Sequence, residues 1–475
     1  MLFKDNSLFK LLYGLLIIGL VIYAIFYIFN AYQCIIYPYQ LCFGEGFELY
    51  FAYTLSQGHS IYRDISTYPS IPGFYPPVYL LVCAGLVKIF GVSFSVGRFV
   101  SVLSAILIGI LIYLIVREKA NKQIAITSSL LFFASPLIYR FTCWFINDTL
   151  GLLFSLIGIY FVFKYENNKK VYLSIPFFLL AVYTKQTFIA ALIASFIYLF
   201  LKDKKLGIKN IGLFGLSGIL LFLLANYVTN GQFYVQLIVY NILPFSISNA
   251  ISDYLSLIKV HAILIGFALA YVLYILSKKE LSLFVIYGIT SAFAAITTGR
   301  VGASMNHMIG MIPVCCILLG IILSKLDLQN KKKYLTSFLV IILLIIQLAL
   351  FAHVPYMPSE EDTNVNINQK ISSYVINSKG HILSENAGFA VLNGKELLIE
   401  PFVNTQLARH GLWNQSTFVG DLKNKNFSLI ILEFDVMGDK IHKSRFTKEM
   451  VNAIRNNYYF VEKIGAYYIY KPRRE

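Results

Sequence analysis

Eighteen of the 40 Lys and Arg residues in this 475-residue chain fall in six short segments, and long apolar stretches lie between those segments. The segments are the N-terminus (Lys4, Lys10), Arg117 to Lys122, Lys164 to Lys170, Lys202 to Lys209, Lys278 with Lys279, and Lys325 to Lys333. Apolar runs of about 20 residues are long enough to cross a bilayer, and short loops rich in Lys and Arg stay cytoplasmic. Placing all six segments on the cytoplasmic side gives one consistent topology. The chain is 57% hydrophobic and only 13% charged, about half the charge of a soluble protein. The cytoplasmic loops and a basic tail carry most of the net charge of +16. It therefore reads as membrane orientation and attraction to anionic lipid, with no nucleic-acid partner expected.

The expected fold is a polytopic α-helical membrane protein of about eleven transmembrane helices. They lie at roughly 11–30, 98–116, 123–140, 148–164, 171–184, 187–201, 210–228, 260–277, 281–298, 306–324 and 334–352. The first apolar run is long and has no small-residue cleavage site, so it reads as an uncleaved helix. Residues 1–352 form this transmembrane domain, with a first outer loop of about 31–97. Val78 to Gly91 looks apolar but is short and carries Lys88; if it crossed, Arg117 to Lys122 would move outside. It is read as an interfacial or re-entrant helix started by Pro76 and Pro77. A second outer segment spans about 229–259. Residues 353–475 form a small extracytoplasmic α/β domain after a linker at Pro355 to Asn364. Its expected strands are Phe427–Phe434 and Ala466–Tyr470, and its expected helices Ser372–Ser378 and Phe446–Asn457.

Polar groups collect at the outer ends of the spans. Glu45 and Glu48 stand in Gly44-Glu45-Gly46-Phe47-Glu48, where glycines let the backbone approach a ligand closely. Asp64 follows Arg63, and an ion pair with it is the plainer role. Asp148 opens the fourth span, where a helix cap is the plainer role. Lys185 and Gln186 form the turn between two short spans, where a charge avoids lipid. Arg300, Asn306 and His307 occupy the loop between spans nine and ten. Lys185 and Arg300 are also placed to snorkel, and His307 to line a polar wall. Acids and cations at one depth of one face suit a site where a lipid-borne anion meets a polar acceptor. The six Cys show no metal spacing. Cys34 and Cys42 are candidates for a disulfide, with Cys143 nearby, and Cys315 with Cys316 for packing.

The ordered set Gly44-Glu45-Gly46, Gln57-Gly58, Ile61-Tyr62-Arg63-Asp64, Tyr75-Pro76-Pro77, Phe90-Gly91-Val92-Ser93, Arg98, Asn147-Asp148, Thr184-Lys185-Gln186 and Asn306-His307 resembles the polytopic glycosyltransferases of GT-C fold. That group includes protein O-mannosyltransferases and the aminoarabinose transferase of lipid A. The tail segments Glu400-Pro401-Phe402, Gln406-Leu407-Ala408 and Gly411-Leu412-Trp413 are similar to those of bacterial members. The resemblance implies a polyprenyl-phosphate sugar donor used at the outer leaflet of the plasma (inner) membrane. It implies a first-loop acid as catalytic base, best matched by Glu45, with Glu48 as the alternative. It implies a supporting role for Asp148 and a phosphate role for Lys185.

The expected reaction is an inverting transfer of the sugar to a hydroxyl of a glycan, lipid or protein. Glu45 would take the proton, Lys185 and Arg300 would neutralise the leaving phosphate, and Glu48, Asp64, Gln186, Asn306 and His307 would bind substrate. A divalent metal stays open, because Glu45, Asp148 and a His could meet in space. A transporter or flippase of lipid-linked saccharide is the alternative, as is a surface-polysaccharide polymerase or ligase. A transporter is expected to show repeats or midplane charges, and this chain shows no repeat.

Overall fold

The computed structural model describes residues 7–241, 243–325, 331–352, 364–438 and 444–473. Lys4, the middle of the Lys325–Lys333 segment and most of the linker expected from Pro355 lie outside the described residues. The helical part runs α1 (Ser7–Ile36), α2 (Glu45–Ser56), α3 (Val78–Phe90), α4 (Phe94–Arg117), α5 (Lys122–Ala134), α6 (Pro136–Phe141), α7 (Asp148–Tyr165), α8 (Ser174–Val182), α9 (Ala190–Lys202), α10 (Lys204–Val228), α11 (Ile247–Lys278), α12 (Leu283–Ala294), α13 (Met311–Ser324) and α14 (Lys331–Ala352). The chain is a multi-pass membrane protein. Among the described residues, seven helices are long and apolar enough to span: Leu8–Ile36, Phe94–Arg117, Asp148–Tyr165, Lys204–Val228, Ile247–Lys278, Met305–Ser324 and Leu335–Ala352.

The other expected spans are shorter helices, and the sequence explains why. The run expected over 123–140 breaks at Ser135, whose backbone is extended (φ −65°, ψ 127°). Proline disfavours helical geometry in the residue before it, and Pro136 starts a new helix. α8 and α9 stop on either side of the Thr184-Lys185-Gln186 turn. In contrast, the helix expected from 260 begins at Ile247. It bends at His261 (φ −112°, ψ 25°). Buried Gln347 mends the bend: its Oε1 accepts from the backbone N–H groups of Ile263 and Leu264, both at 3.0 Å, and its Nε2 donates to Val260 O at 2.8 Å. Backbone freed inside a bilayer needs such partners. α13 is the most enclosed span, whereas α10 buries none of its apolar window and faces lipid.

The C-terminal residues form α15 (Val365–Asn377), β1 (His381–Ser384), α16 (Ala387–Leu392), α17 (Pro401–Arg409), α18 (Ser416–Lys423), β2 (Phe427–Leu432), α19 (Lys448–Asn457), β3 (Tyr458–Ile464) and β4 (Tyr467–Pro472). The sheet order is β1-β2-β4-β3. β1 is parallel to β2, and the other pairs are antiparallel. β1 and β3 lie beyond the expected strands: β1 is four residues long, and β3 buries only its first and last residues, so neither carries a strong apolar pattern.

This domain is fastened to the segment between α1 and α4, expected as the first outer loop. Ser70 N–H donates to Leu398 O at 2.7 Å, Tyr68 Oη to Asp421 at 2.8 Å, and Gly388 N–H to Gln40 at 3.0 Å. A Cβ on Gly46 would stand 2.5 Å from Gly388 N, so α2 and α16 meet backbone to backbone. All six cysteines are free, which corrects the Cys34–Cys42 expectation.

Arg98, fully buried in α4, fixes the entrance of α2. Its Nε donates to Glu45 Oε1 at 2.9 Å and one Nη2 N–H to Glu45 Oε2 at 2.7 Å. Nη1 donates to Cys34 O and Tyr37 O at 2.8 and 2.6 Å, and Nη2 also to Tyr39 O at 2.6 Å. All five donors of the guanidinium are used, and the chain leaving α1 is clasped to α4 and α2. Removing one partner of a buried ion pair costs about 3–5 kcal/mol. Arg98→Ala is expected to lower the unfolding free energy of the purified protein by that order, seen as a fall in its thermal unfolding midpoint. Arg98→Lys is not expected to restore it, because an ammonium lacks the fork.

Candidate functional site

A cavity of about 360 Å³ lies where helix ends on one face of the bundle meet the C-terminal domain. The start of α2, the Pro72–Tyr75 stretch, the start of α7, the α8–α9 turn, the loop before α13 and the start of α17 form its walls. Glu48, Asp148, Lys185, Gln186, Arg300, Asn306 and His307 all line it. Two expected site residues do not. Asp64 is exposed, and its carboxylate accepts from Ser66 N–H at 2.9 Å and Ser66 Oγ at 2.7 Å. Those bonds hold its carboxyl below the usual range. The pairing expected with Arg63 is replaced by this turn; Arg63 donates instead to Tyr50 Oη at 2.7 Å.

Glu45 is the second departure. Besides the two Arg98 bonds, Oε1 accepts from Phe145 N–H at 2.7 Å and Oε2 from Leu41 N–H at 2.6 Å. Four donors occupy a fully buried carboxylate that is off the cavity wall. Glu45 therefore does not share the cavity with Asp148 and His307. Among the described residues, no group of three His, Cys, Asp or Glu side chains is placed to hold a metal ion.

Glu48 lies one turn along, its N–H bonded to Gly44 O at 3.1 Å. It is buried, and its Oε2 has no hydrogen-bond partner among the described residues. Burial pushes its carboxyl up to about 8; nearby Lys185 opposes that shift and Asp148 adds to it. A carboxyl that is buried, unbonded and titrating near neutrality is poised to exchange a proton.

The cations divide into one that is committed and one that is open. Lys185 Nζ donates to Asp148 Oδ1 at 2.7 Å, both side chains being almost wholly buried. Its Nζ also sits 5.3 Å from the centre of the Tyr75 ring, a cation–π contact. Asn306 Nδ2 donates to Asp148 Oδ2 at 3.1 Å. Asp148 thus uses its carboxylate across the cavity floor, and the cap expected of it is absent. Arg300 is held through Nη2 alone, which donates to Asn241 O and Oδ1, each at 2.5 Å. Its Nε and Nη1 have no acceptor among the described residues, so a fork of N–H donors remains for an anion. Gln186 Nε2 donates to Phe74 O at 3.1 Å, and its Oε1 is unpartnered. His307 Nδ1 and Thr297 Oγ1 share a hydrogen bond of 2.9 Å.

Sequence reasoning gave no site role to Arg98, Asn241, Tyr75 and Glu400, although Arg98, Tyr75 and Glu400 stand in the motifs that carry the resemblance. Asn241 carried one signal: an amide in a Tyr- and Pro-rich outer segment. Arg98 acts on a partner 53 residues away, and Glu400 joins a cavity wall whose other members are far along the chain, which a local pattern does not reveal. A second, polar cavity of about 250 Å³ adjoins the first across Phe141, Ala303 and Ser304, with Arg140 and Asp253 on its walls.

Residues 75–229 match the sequence profile of a family described as dolichyl-phosphate-mannose-protein mannosyltransferase. No curated protein matches the chain in sequence. In structure the chain is similar to ArnT from Cupriavidus metallidurans. The form bound to undecaprenyl phosphate is 11% identical with a TM-score of 0.59, over 95% of this chain and 97% of the other. The apo form is 10% identical with a TM-score of 0.60, over the same shares. The apo oligosaccharyltransferase of Archaeoglobus fulgidus is 12% identical with a TM-score of 0.55, over 98% of this chain and 75% of the other. The fold is that of the GT-C group.

The raised Glu48 carboxyl has a consequence for stability. The folded state holds this proton to about pH 8, whereas an unfolded Glu releases it near 4.3. Stability is therefore lost as pH rises between those values. Glu48→Gln is expected to unfold at a higher temperature than the parent at pH 9, with the gap shrinking toward pH 5. Thermal unfolding across that range measures it.

Proposed function

We propose that this chain, a GT-C glycosyltransferase, moves a sugar from a polyprenyl-phosphate carrier to an acceptor hydroxyl at the outer face of the membrane, with Glu48 as the base and inversion at the anomeric carbon. In this reading all eleven expected helices cross the bilayer, short ones included, and the C-terminal domain lies outside. The carrier follows from the family match and from two similar proteins: ArnT has been captured with undecaprenyl phosphate, and the archaeal oligosaccharyltransferase AglB with an inhibitory peptide and a dolichol phosphate.

The observation that carries the assignment of the base is the contrast between the two first-loop acids. Glu45 has four donors and no free lone pair directed at a ligand. Glu48 has an unbonded oxygen on the cavity. The acceptor oxygen attacks the anomeric carbon as its proton passes to Glu48. The bond from that carbon to the phosphate oxygen breaks, and polyprenyl phosphate leaves with the electron pair. Phosphate needs positive charge more than it needs a proton, and Arg300 offers the open fork. The Lys185–Asp148 pair sets the field around Glu48: Lys185 favours the charged carboxylate, and Asp148 keeps Lys185 in place.

The test uses membranes supplied with labelled polyprenyl-phosphate sugar. Glu48→Gln is expected to lower kcat by about 10²–10⁴-fold, the usual worth of a general base, while folding normally. Arg300→Ala is expected to raise the donor KM. In the parent, kcat/KM should climb as pH rises toward 8, because only the deprotonated carboxyl accepts a proton; Glu48→Gln should lose that limb. Full transfer by Glu48→Gln, together with a folded but inactive Glu45→Gln, would return the role to Glu45.

A further inference from the structure

The cavity has one wall that the proposed chemistry leaves unused, and the C-terminal domain supplies it. Glu400, Phe402 and Val403 at the start of α17 face the same space as Glu48 and Arg300. Glu400 is buried, at 6% exposure. Its Oε2 accepts from Val403 N–H as a helix cap, and no side-chain donor bonds the carboxylate among the described residues. Burial pushes this carboxyl up to about 8, against the pull of the Val403 N–H and Arg445. Burial thus favours the protonated carboxyl, which is able both to donate and to accept.

Phe402 stands beside it in a fixed place. Gly302 has a left-handed backbone (φ +86°), and a Cβ there would lie 2.5 Å from Phe402 Cζ. Glycine alone lets the ring settle on that loop. The loop also ties the ring to the anion fork: Arg300 is two residues from Gly302, at most about 7 Å of chain. The Ser70–Ile399 bridge, with its 2.7 Å bond to Leu398 O, holds α17 against the first outer loop. A flat apolar ring next to a carboxyl suits a saccharide, which has a C–H face and hydroxyl edges. The saccharide within that reach of the phosphate is the one bonded to it.

Resting on the transferase reading, we propose that Glu400 and Phe402 recognise the sugar being transferred, so that the C-terminal domain selects the donor. Phe402 packs on the C–H face of the ring, and the Glu400 carboxyl exchanges hydrogen bonds with hydroxyls away from the anomeric carbon. The acceptor then approaches from the Glu48 side.

The experiment measures binding to the full-length protein of sugar-free undecaprenyl phosphate and of a panel of undecaprenyl-phosphate monosaccharides that are hydroxyl epimers of one another. The variants are Glu400→Ala, Glu400→Gln and Phe402→Leu. Phe402→Leu keeps an apolar contact on Gly302 if the Glu400 variants fold poorly. Glu400→Ala and Phe402→Leu are expected to bind undecaprenyl phosphate as the parent does. They should bind the best epimer at least about tenfold more weakly, the worth of a hydrogen bond in a buried site, with the ranking among epimers flattened. Glu400→Gln should recover part of the loss. An unchanged ranking overturns the inference, as does an equal loss for sugar-free and sugar-bearing lipids. A parent protein that binds none of these lipids defeats the transferase reading itself.

Discussion

The bidentate contact between Arg98 and Glu45 sets the geometry on which the rest of the cavity depends. It joins α4, the end of α1 and the first turn of α2 by side-chain bonds that water does not reach. Three backbone carbonyls between Cys34 and Tyr39 accept from the same guanidinium. Once Glu45 is fixed, α2 starts at one place and with one rotation. Glu48 follows a single turn later and enters the cavity. A carboxylate that anchors a helix start cannot readily also shuttle a proton, because every lone pair it would use is already bonded. In the proposed mechanism those two duties fall to two acids three residues apart.

The electrostatics of the cavity follow the same division. Lys185 is neutralised by Asp148, and Asn306 satisfies the second oxygen. That pair is a fixed dipole in a buried site, where it acts more strongly than it would in water. Arg300 is anchored by one end of its guanidinium, which leaves the other end for an anion. In the proposed reaction the lipid phosphate meets this open fork, and the acceptor meets the Glu48 carboxyl. The C-terminal domain completes the enclosure, and its contacts with the first outer loop make it part of the cavity wall.

Much of this was legible in the chain. Charge distribution gave the order of apolar helices, and every expected span has a helix at its position. Acids and bases at the outer ends of those spans pointed to one face, and seven of the nine expected residues share the cavity. What the sequence hid is distance. Glu45 and Arg98 are 53 residues apart, and nothing near either one announces the other. Gly44-Glu45-Gly46 looked like a ligand loop, but Gly46 is there because α16 packs against it. Asp64 was readable on better grounds: an Asp two residues before a Ser is a turn pattern, and Ser66 takes both oxygens. Helix length was overestimated where polar turns and Pro136 cut apolar runs, and underestimated in α11, where Gln347 repairs a bend that hydropathy alone cannot foresee.

The most direct measurement is an experimental structure of the protein with undecaprenyl phosphate bound. The account places the phosphate oxygens on the free N–H groups of Arg300, with Glu48 facing the same space and Glu45 still locked to Arg98. A phosphate seated away from Arg300, or Glu45 released from Arg98 and turned into the cavity, would contradict it.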